Sequence, residues 1–110
     1  DFMPDTVSYH RVMSMYAHTR NASAVEGLLE EMFQLYVQNG RPGNLMPRKK
    51  HFSLVLFAWS KSKDPAAPAR GVAVLERMLK LKASGELPTL VVDAAIFNAA
   101  MVTWLRLRTK

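Results

Sequence analysis

Apolar and polar positions along the chain follow a helical period, and one aromatic pattern occurs three times. An aromatic residue is followed seven positions later by another at Tyr9 and Tyr16, Phe52 and Trp59, and Phe97 and Trp104. An apolar residue lies four positions after the first aromatic each time, at Met13, Leu56 and Met101. Positions four and seven apart share one face of an α-helix. Each copy therefore predicts a helix whose aromatic columns pack in the core.

The three copies are separated by 43 and 45 residues, a spacing typical of stacked helical hairpins. A second helix repeats as well, because aligning Met32 with Met78 also places Leu29 on Leu75. The sequence thus predicts an all-α chain, an α-solenoid of stacked antiparallel helical hairpins with about five helices.

The predicted boundaries make residues 1–110 a single helical-repeat domain. Hairpin 1 spans 6–40, hairpin 2 spans 48–84, and 89–108 form the first helix of an incomplete third hairpin. Residues 40–47 hold two glycines and two prolines, which predicts a loop. The expected helix caps are Asp5 or Thr6, Asn21, Asp64 before Pro65, and Thr89 or Asp93.

The composition supports a folded chain with a modest core, since 49% of its residues are apolar. No uncharged apolar run approaches the length of a membrane helix, so membrane insertion is not expected. The absence of cysteine excludes a disulfide framework within this chain. The chain starts at Asp1 with no signal or transit pattern, which indicates a processed or partial protein.

The net charge of +6 is unevenly distributed. Residues 1–47 carry three basic and five acidic side chains, whereas residues 48–110 carry twelve basic and four acidic ones. The basic run Arg48-Lys49-Lys50-His51 opens the third helix, where cations oppose the helix dipole, so we expect compensation from outside that helix. The run has two interpretations, phosphate contact or a solvated helix start.

The sequence predicts a non-catalytic protein without a cofactor. Its three histidines lack metal-ligand spacing and are expected at the surface. A phosphate-binding glycine loop, a nucleophile elbow and a helical metalloprotease motif are all missing from the sequence. The aspartates Asp5, Asp64 and Asp93 are better explained as helix caps than as a catalytic pair.

Several segments resemble the pentatricopeptide repeat family over nearly the whole chain, about two and a half repeats. The segments that carry the resemblance are Pro4-Asp5-Thr6-Val7-Ser8-Tyr9-His10, Leu29-Glu30-Glu31-Met32, Leu75-Glu76-Arg77-Met78 and Ile96-Phe97-Asn98. The resemblance implies a right-handed superhelix whose first helices line a groove for single-stranded RNA in a mitochondrion or plastid.

The resemblance also implies roles for individual residues. In the family, the residue at the second position of each repeat packs against the RNA base, and here these residues would be Val7, Lys50 and Ala95. The residues that determine which base is bound would be those at the fifth position of the repeat, His10, Ser53 and Asn98, and those at its last position, Arg48 and Asp93. Ser53 with Asp93 matches a usual reading pair. Together with the basic run, the candidate RNA-binding residues are His10, Arg48, Lys49, Lys50, Ser53, Asp93 and Asn98.

Two functions remain open at this point. The first is an organellar RNA-binding or RNA-associated protein that uses the groove of the third and fifth helices. The second is a structural protein-protein interaction subunit of a large organellar assembly, such as a mitochondrial ribosome or a membrane-bound energy-converting complex, docked through Phe97 and Trp104. Single-stranded RNA and protein subunits are the expected partners, and no small-molecule substrate is expected.

Overall fold

The computed structural model describes residues 6–19, 21–87 and 90–108, with the side chains of residues 44, 103, 104 and 106–108 outside the description. This part of the chain forms five α-helices and contains no strand, which confirms the all-α prediction. The helices are α1 (Thr6–His18), α2 (Ala22–Gln38), α3 (Lys49–Lys61), α4 (Ala67–Ala83) and α5 (Ala94–Arg108). One 3-10 turn, Gly43–Leu45, lies in the predicted loop.

Local side-chain and backbone signals set both ends of α2. The side chain of Asn21 accepts a hydrogen bond from the backbone N–H of Ala24 at 3.3 Å, as expected of an N-cap. After α2, Gly40 and Arg41 adopt positive φ angles of 80° and 62°. Glycine takes up this left-handed conformation without a Cβ clash, so the helix stops here as predicted. The candidate cap Asp5 lies outside the described residues.

Helix α4 begins later than predicted, and α5 begins at the later of its two predicted caps. Asp64 accepts a hydrogen bond from the backbone N–H of Ala66 at 2.8 Å, which closes a turn, and α4 starts only after this turn. Asp93 accepts a hydrogen bond from the backbone N–H of Ile96 at 3.2 Å and caps α5. The fifth helix therefore begins one residue after Asp93 and not at residue 89. The alternative cap Thr89 is not among the described residues.

The helices α1 and α2 are joined by a short turn between His18 and Ala22 and contact each other along their length, so they run antiparallel. The Tyr9 hydroxyl, near the start of α1, donates a hydrogen bond to Glu31, in the second half of α2, at 2.7 Å. In the next pair, the guanidinium of Arg70 at the start of α4 lies 5.6 Å from the ring of Trp59 near the end of α3. Both helix pairs are therefore antiparallel hairpins.

Helix α3 occupies the centre of the fold and packs against α1, α2, α4 and α5. Ion pairs also connect neighbouring units: each one between described residues joins side chains 44 to 47 positions apart, about one repeat. These pairs are Arg41–Glu86, Lys49–Asp93, Arg70–Glu26 and Arg77–Glu30. The packing and the ion pairs follow the period of the sequence.

Because it is central, α3 is buried on two adjacent faces. One face, which we call the hairpin face, includes Phe52 and Leu56, which are buried in the core. The other, the stacking face, includes His51 and Val55 and lies toward α1, since His51 Nε2 is 3.3 Å from the carbonyl oxygen of Thr6. The helices on either side of α3 bury only one of these faces.

The prediction that the aromatic columns lie in the core is wrong at Tyr16 and Phe97, and the apolar residue Met101 of the same pattern is exposed as well. Tyr16, Phe97 and Met101 are 41%, 43% and 45% exposed. On α5 the stacking face, with Ile96 and Ala100, is buried instead. The hairpin face of α5 is exposed because no described helix follows to cover it. The side chain of Trp104 lies outside the description.

The exposure of Tyr16 has a related cause. Its counterpart Trp59 is buried and donates a hydrogen bond from its indole nitrogen to Glu26 of the preceding hairpin, at 2.8 Å. The helix α1 has no preceding hairpin among the described residues. A column is thus buried where another described helix covers it and exposed where none does.

None of the helices described here is both long and apolar enough to cross a membrane.

Candidate nucleic-acid interface

The helices α1, α3 and α5 contain no acidic residue. Their basic residues are Arg11, Lys49, Lys50, Lys61, Arg106 and Arg108. The helix α2 has the opposite character, with three glutamates and no lysine or arginine. The helix α4 carries four basic side chains and one acidic one, so positive charge is not confined to the first helices, and what distinguishes α1, α3 and α5 is that they contain no carboxylate to repel a polyanion.

One row of α3 points away from the core and combines cations with an aromatic ring. Lys50 and Lys61 are exposed, and Phe57, between them on the same helix face, is 41% exposed. The ammonium of Lys61 lies 5.7 Å from the centre of the Phe57 ring, and the ring of His18 on α1 lies 6.0 Å from it. We call Arg11, His18, Lys50, Phe57 and Lys61 together the basic face.

Phe57 was missed by sequence reasoning because it lies outside the repeated aromatic columns that contain Phe52 and Trp59. The spacing of Phe57 from Phe52 nevertheless indicated that Phe57 is exposed. Phe57 follows Phe52 by five positions, which places the two side chains about 140° apart around the helix. If Phe52 faces the core, Phe57 faces away from it. A half-exposed ring beside a cation can stack on a nucleic-acid base.

The start of α3 adds further positive charge. Arg48 and Lys50 are exposed and line a shallow cleft of about 330 Å³ together with Pro47, Leu90 and Val91. Neither cation forms an ion pair with another described residue. Both are therefore accessible to phosphate groups.

Lys49 and Asp93, both predicted to bind RNA, contact each other. Lys49 Nζ lies 2.6 Å from Asp93 Oδ2. This hydrogen bond, together with those from the start of α5, holds the pKa of the Asp93 carboxyl below its usual range. The pair supplies the expected compensation for a cation in the first turn of α3. It also reduces the capacity of Lys49 to contact a phosphate.

His51 is buried, so the prediction of surface histidines is wrong at this position. Its Nδ1 accepts a hydrogen bond from the backbone N–H of Arg48 at 3.0 Å, which leaves Nε2 protonated and 3.3 Å from the carbonyl oxygen of Thr6. The pKa of His51 is lowered to about 4, mainly by burial, with the hydrogen bond to Thr6 opposing the shift and the proximity of Lys50 and His10 adding to it. His51 is a neutral connection between α3 and α1.

The remaining predicted residues lie at the equivalent positions of the three first helices. His10 is half-buried, with its ring edge-on to that of His51 at 5.9 Å between centroids. Ser53 is half-buried and Asn98 is exposed. No hydrogen bond joins Ser53 to Asp93, the predicted reading pair, since the Asp93 carboxylate is engaged by Lys49 and by the N-terminus of α5.

Within the described ranges, no three side chains of histidine, cysteine, aspartate or glutamate lie close enough together to hold a metal ion. Comparison of the chain with protein-family models, with curated proteins and with solved structures finds no match. The pentatricopeptide resemblance consequently depends on the quoted residues alone.

Proposed function

We propose that the chain is a right-handed α-solenoid of the pentatricopeptide type that binds single-stranded RNA without catalysis in a mitochondrion or plastid. The observation that carries the proposal is the acid-free layer formed by α1, α3 and α5. Such a layer attracts a phosphate backbone along its whole length, whereas a single basic run would offer one contact.

The basic face contributes both types of contact that single-stranded RNA requires. Arg11, Lys50 and Lys61 are exposed cations that can contact successive phosphates. Phe57 presents a half-exposed ring to a base, and stacking of this kind is worth about 1–3 kcal/mol per base. Arg48 extends the charged surface at the start of α3.

The solenoid part of the proposal is supported by ion pairs spaced one repeat apart and by the side-by-side contacts of α1, α3 and α5. In such a stack, His10, Ser53 and Asn98 recur once per unit on the same side of the first-helix layer. The proposal keeps these three as candidates for base contact.

The test is binding of fluorescein-labelled single-stranded RNA, measured by anisotropy across salt concentrations. Three phosphate contacts predict a slope of about −2 in a plot of log K against log salt concentration. The double variant Lys50→Glu, Lys61→Glu should lose binding. The matched double variant Lys80→Glu, Lys82→Glu changes the net charge equally on α4 and should bind more tightly than the first. A flat salt response, or equal loss in both variants, rejects the proposal.

A second candidate function is that of a structural subunit in a large organellar assembly. The observation that favours it is the exposure of Phe97, Met101 and Leu105 along α5. The double variant Arg48→Glu, Lys50→Glu separates the two functions, because both side chains are exposed and neither forms an ion pair with a described residue. RNA binding should decrease in this variant, whereas docking of a protein on α5 should persist.

A further inference from the structure

The cleft at the start of α3, with a volume of about 330 Å³, has walls of two kinds. The described residues that line it are Pro47, Arg48, Lys49, Lys50, Leu90 and Val91. Three of these side chains are apolar, three are basic and none is acidic. A concave site that combines apolar walls with a few charged groups is typical of sites that bind a small molecule or the end of a chain.

The three consecutive basic side chains of the cleft share one acidic partner. Lys49 Nζ lies 2.6 Å from Asp93 Oδ2, and this pair neutralises one cation. Arg48 and Lys50 are exposed, and neither forms an ion pair with another described residue. The cleft therefore keeps an excess of two positive charges, which favours an anion with more than one negative charge.

This excess of charge favours a phosphate monoester over a phosphodiester. A terminal phosphate carries about −1.5 to −2 charges at neutral pH, whereas each phosphodiester within a strand carries one. Arg11 and Lys61 of the basic face lie on different helices, so each can match a single phosphodiester. In the cleft, the guanidinium of Arg48 can donate to two phosphate oxygens at once, and Lys50 can donate to the third.

The apolar wall indicates what carries the phosphate. Val91 is 49% exposed, and the buried side chains of Pro47 and Leu90 lie behind it. Inorganic phosphate would leave this wall in contact with water. The sugar and base of a nucleotide would cover the wall, and removal of apolar surface from water is favourable. The cleft is therefore better matched to a phosphorylated nucleotide than to phosphate alone.

We propose that this cleft binds the terminal phosphate monoester of a single-stranded RNA, with Arg48 and Lys50 on the phosphate and Val91 against the terminal nucleotide. The proposal rests on the proposed RNA binding and deepens it, because it places one end of the strand at the start of α3. A phosphate at the 5′ end, a phosphate at the 3′ end and a free nucleoside monophosphate share this chemistry, and the experiment separates them.

The experiment compares RNAs of one sequence that differ only at their ends. Each competes, unlabelled, with a fluorescein-labelled strand for the full chain. We expect a phosphate at the 5′ or at the 3′ end to increase affinity about tenfold over the strand with two hydroxyl ends, because it gains charge-assisted hydrogen bonds. A hydroxyl-ended strand with one additional nucleotide carries the same number of phosphates and should gain less than about twofold.

Two double variants test whether the cleft causes this preference. Arg48→Gln with Lys50→Gln should bind strands with and without the terminal phosphate equally. The matched control, Lys80→Gln with Lys82→Gln, removes two exposed cations from α4 and should keep the preference. Val91→Ser leaves all charges in place and should reduce the preference about two- to threefold. Circular dichroism checks that the variants keep their helices.

Equal affinity for the two strands, with salt-dependent binding intact, would overturn the proposal and leave the RNA-binding function standing. An additional nucleotide that acts as well as the terminal phosphate would also overturn it, since the cleft would then accept a phosphodiester. Adenosine monophosphate that binds as tightly as the phosphorylated strand in calorimetry would identify a free nucleotide as the ligand and would likewise overturn it. The absence of binding by every strand would reject the RNA-binding function itself.

Discussion

Lys49 and Asp93 join the start of α3 to the start of α5 through an ion pair with 2.6 Å between Nζ and Oδ2. The carboxylate that caps one helix thereby neutralises a cation in the first turn of another. Arg48 and Lys50, on either side of Lys49, remain exposed. Within the basic run, Lys49 therefore makes a contact inside the fold, whereas Arg48 and Lys50 stay accessible to a ligand.

Replacing Asp93 with asparagine should increase RNA affinity. Asparagine still caps α5, but it releases Lys49 to contact a phosphate, so we expect affinity to rise about two- to fivefold at low salt. The free energy of unfolding should change by less than about 1 kcal/mol, because the pair is exposed. The control is Glu86→Gln, which removes the acidic partner of Arg41 and changes the net charge equally. Equal gains in both variants would mean that net charge, and not Lys49, causes the effect.

Removal of the Phe57 ring should weaken RNA binding while leaving the fold intact. Phe57→Ala should cost about 1–3 kcal/mol of binding free energy if the ring stacks on a base. Because the ring is 41% exposed, thermal stability should fall little. Leu79→Ala, which truncates a side chain of similar exposure on α4, is the control for anisotropy titrations. If both variants bind RNA like the unchanged chain, Phe57 is not a stacking platform.

Acid should destabilise the fold through His51. The pKa of His51 is about 4 in the folded chain against an ordinary value of 6.5, so the unfolded chain takes up its proton first as pH falls. Stability should therefore be fully present above pH 6.5 and decrease as pH falls toward 4, by about 2–3 kcal/mol. Urea unfolding at about pH 7 and pH 5 measures the decrease.

The non-titrating variant His51→Gln should lose most of this pH dependence. His18→Gln, at an exposed position, should keep it. A decrease that persists in His51→Gln would have to come from other groups and would contradict the assignment.

Glu26 should be the costliest acidic residue to remove. It accepts a hydrogen bond from the buried Trp59 indole at 2.8 Å and pairs with Arg70 at 2.6 Å. Glu26→Ala leaves the indole N–H unpaired, which should lower the free energy of unfolding by about 1–3 kcal/mol. Glu86→Ala, which breaks the exposed pair with Arg41, should cost less than about 1 kcal/mol. Tryptophan fluorescence during urea unfolding compares the two, and equal losses would show that Trp59 does not depend on Glu26.

The helix positions were predictable because their signals are local. The spacing of apolar residues predicts the positions of α2 and α3. The side chain of Asn21 caps the start of α2, and Gly40, which has no side chain, ends it with a positive φ angle. The start of α4 was predicted early because Asp64 and Pro65 resemble a cap and a first helical residue, whereas the aspartate closes a separate turn. A turn and a helix cap use the same hydrogen bond, so the sequence does not distinguish them.

Of the candidate site, the sequence identified the basic run but not the aromatic platform. Arg48 and Lys50 are exposed as predicted. Phe57 required knowledge of which face of α3 is buried, and that face is defined by packing against α1, α2, α4 and α5.

The sequence by itself determined that this protein is built from α-helices and that the first, third and fifth of them contain no acidic residue, since helical period, capping residues and charge are properties of short segments. Only the tertiary structure decided that His51 is buried and neutral, that Lys49 pairs with Asp93, and that Ile96 instead of Phe97 faces the core. These outcomes depend on residues about one repeat apart, which meet only when hairpins stack. The same helical pattern is buried where a neighbouring helix covers it and exposed where none does.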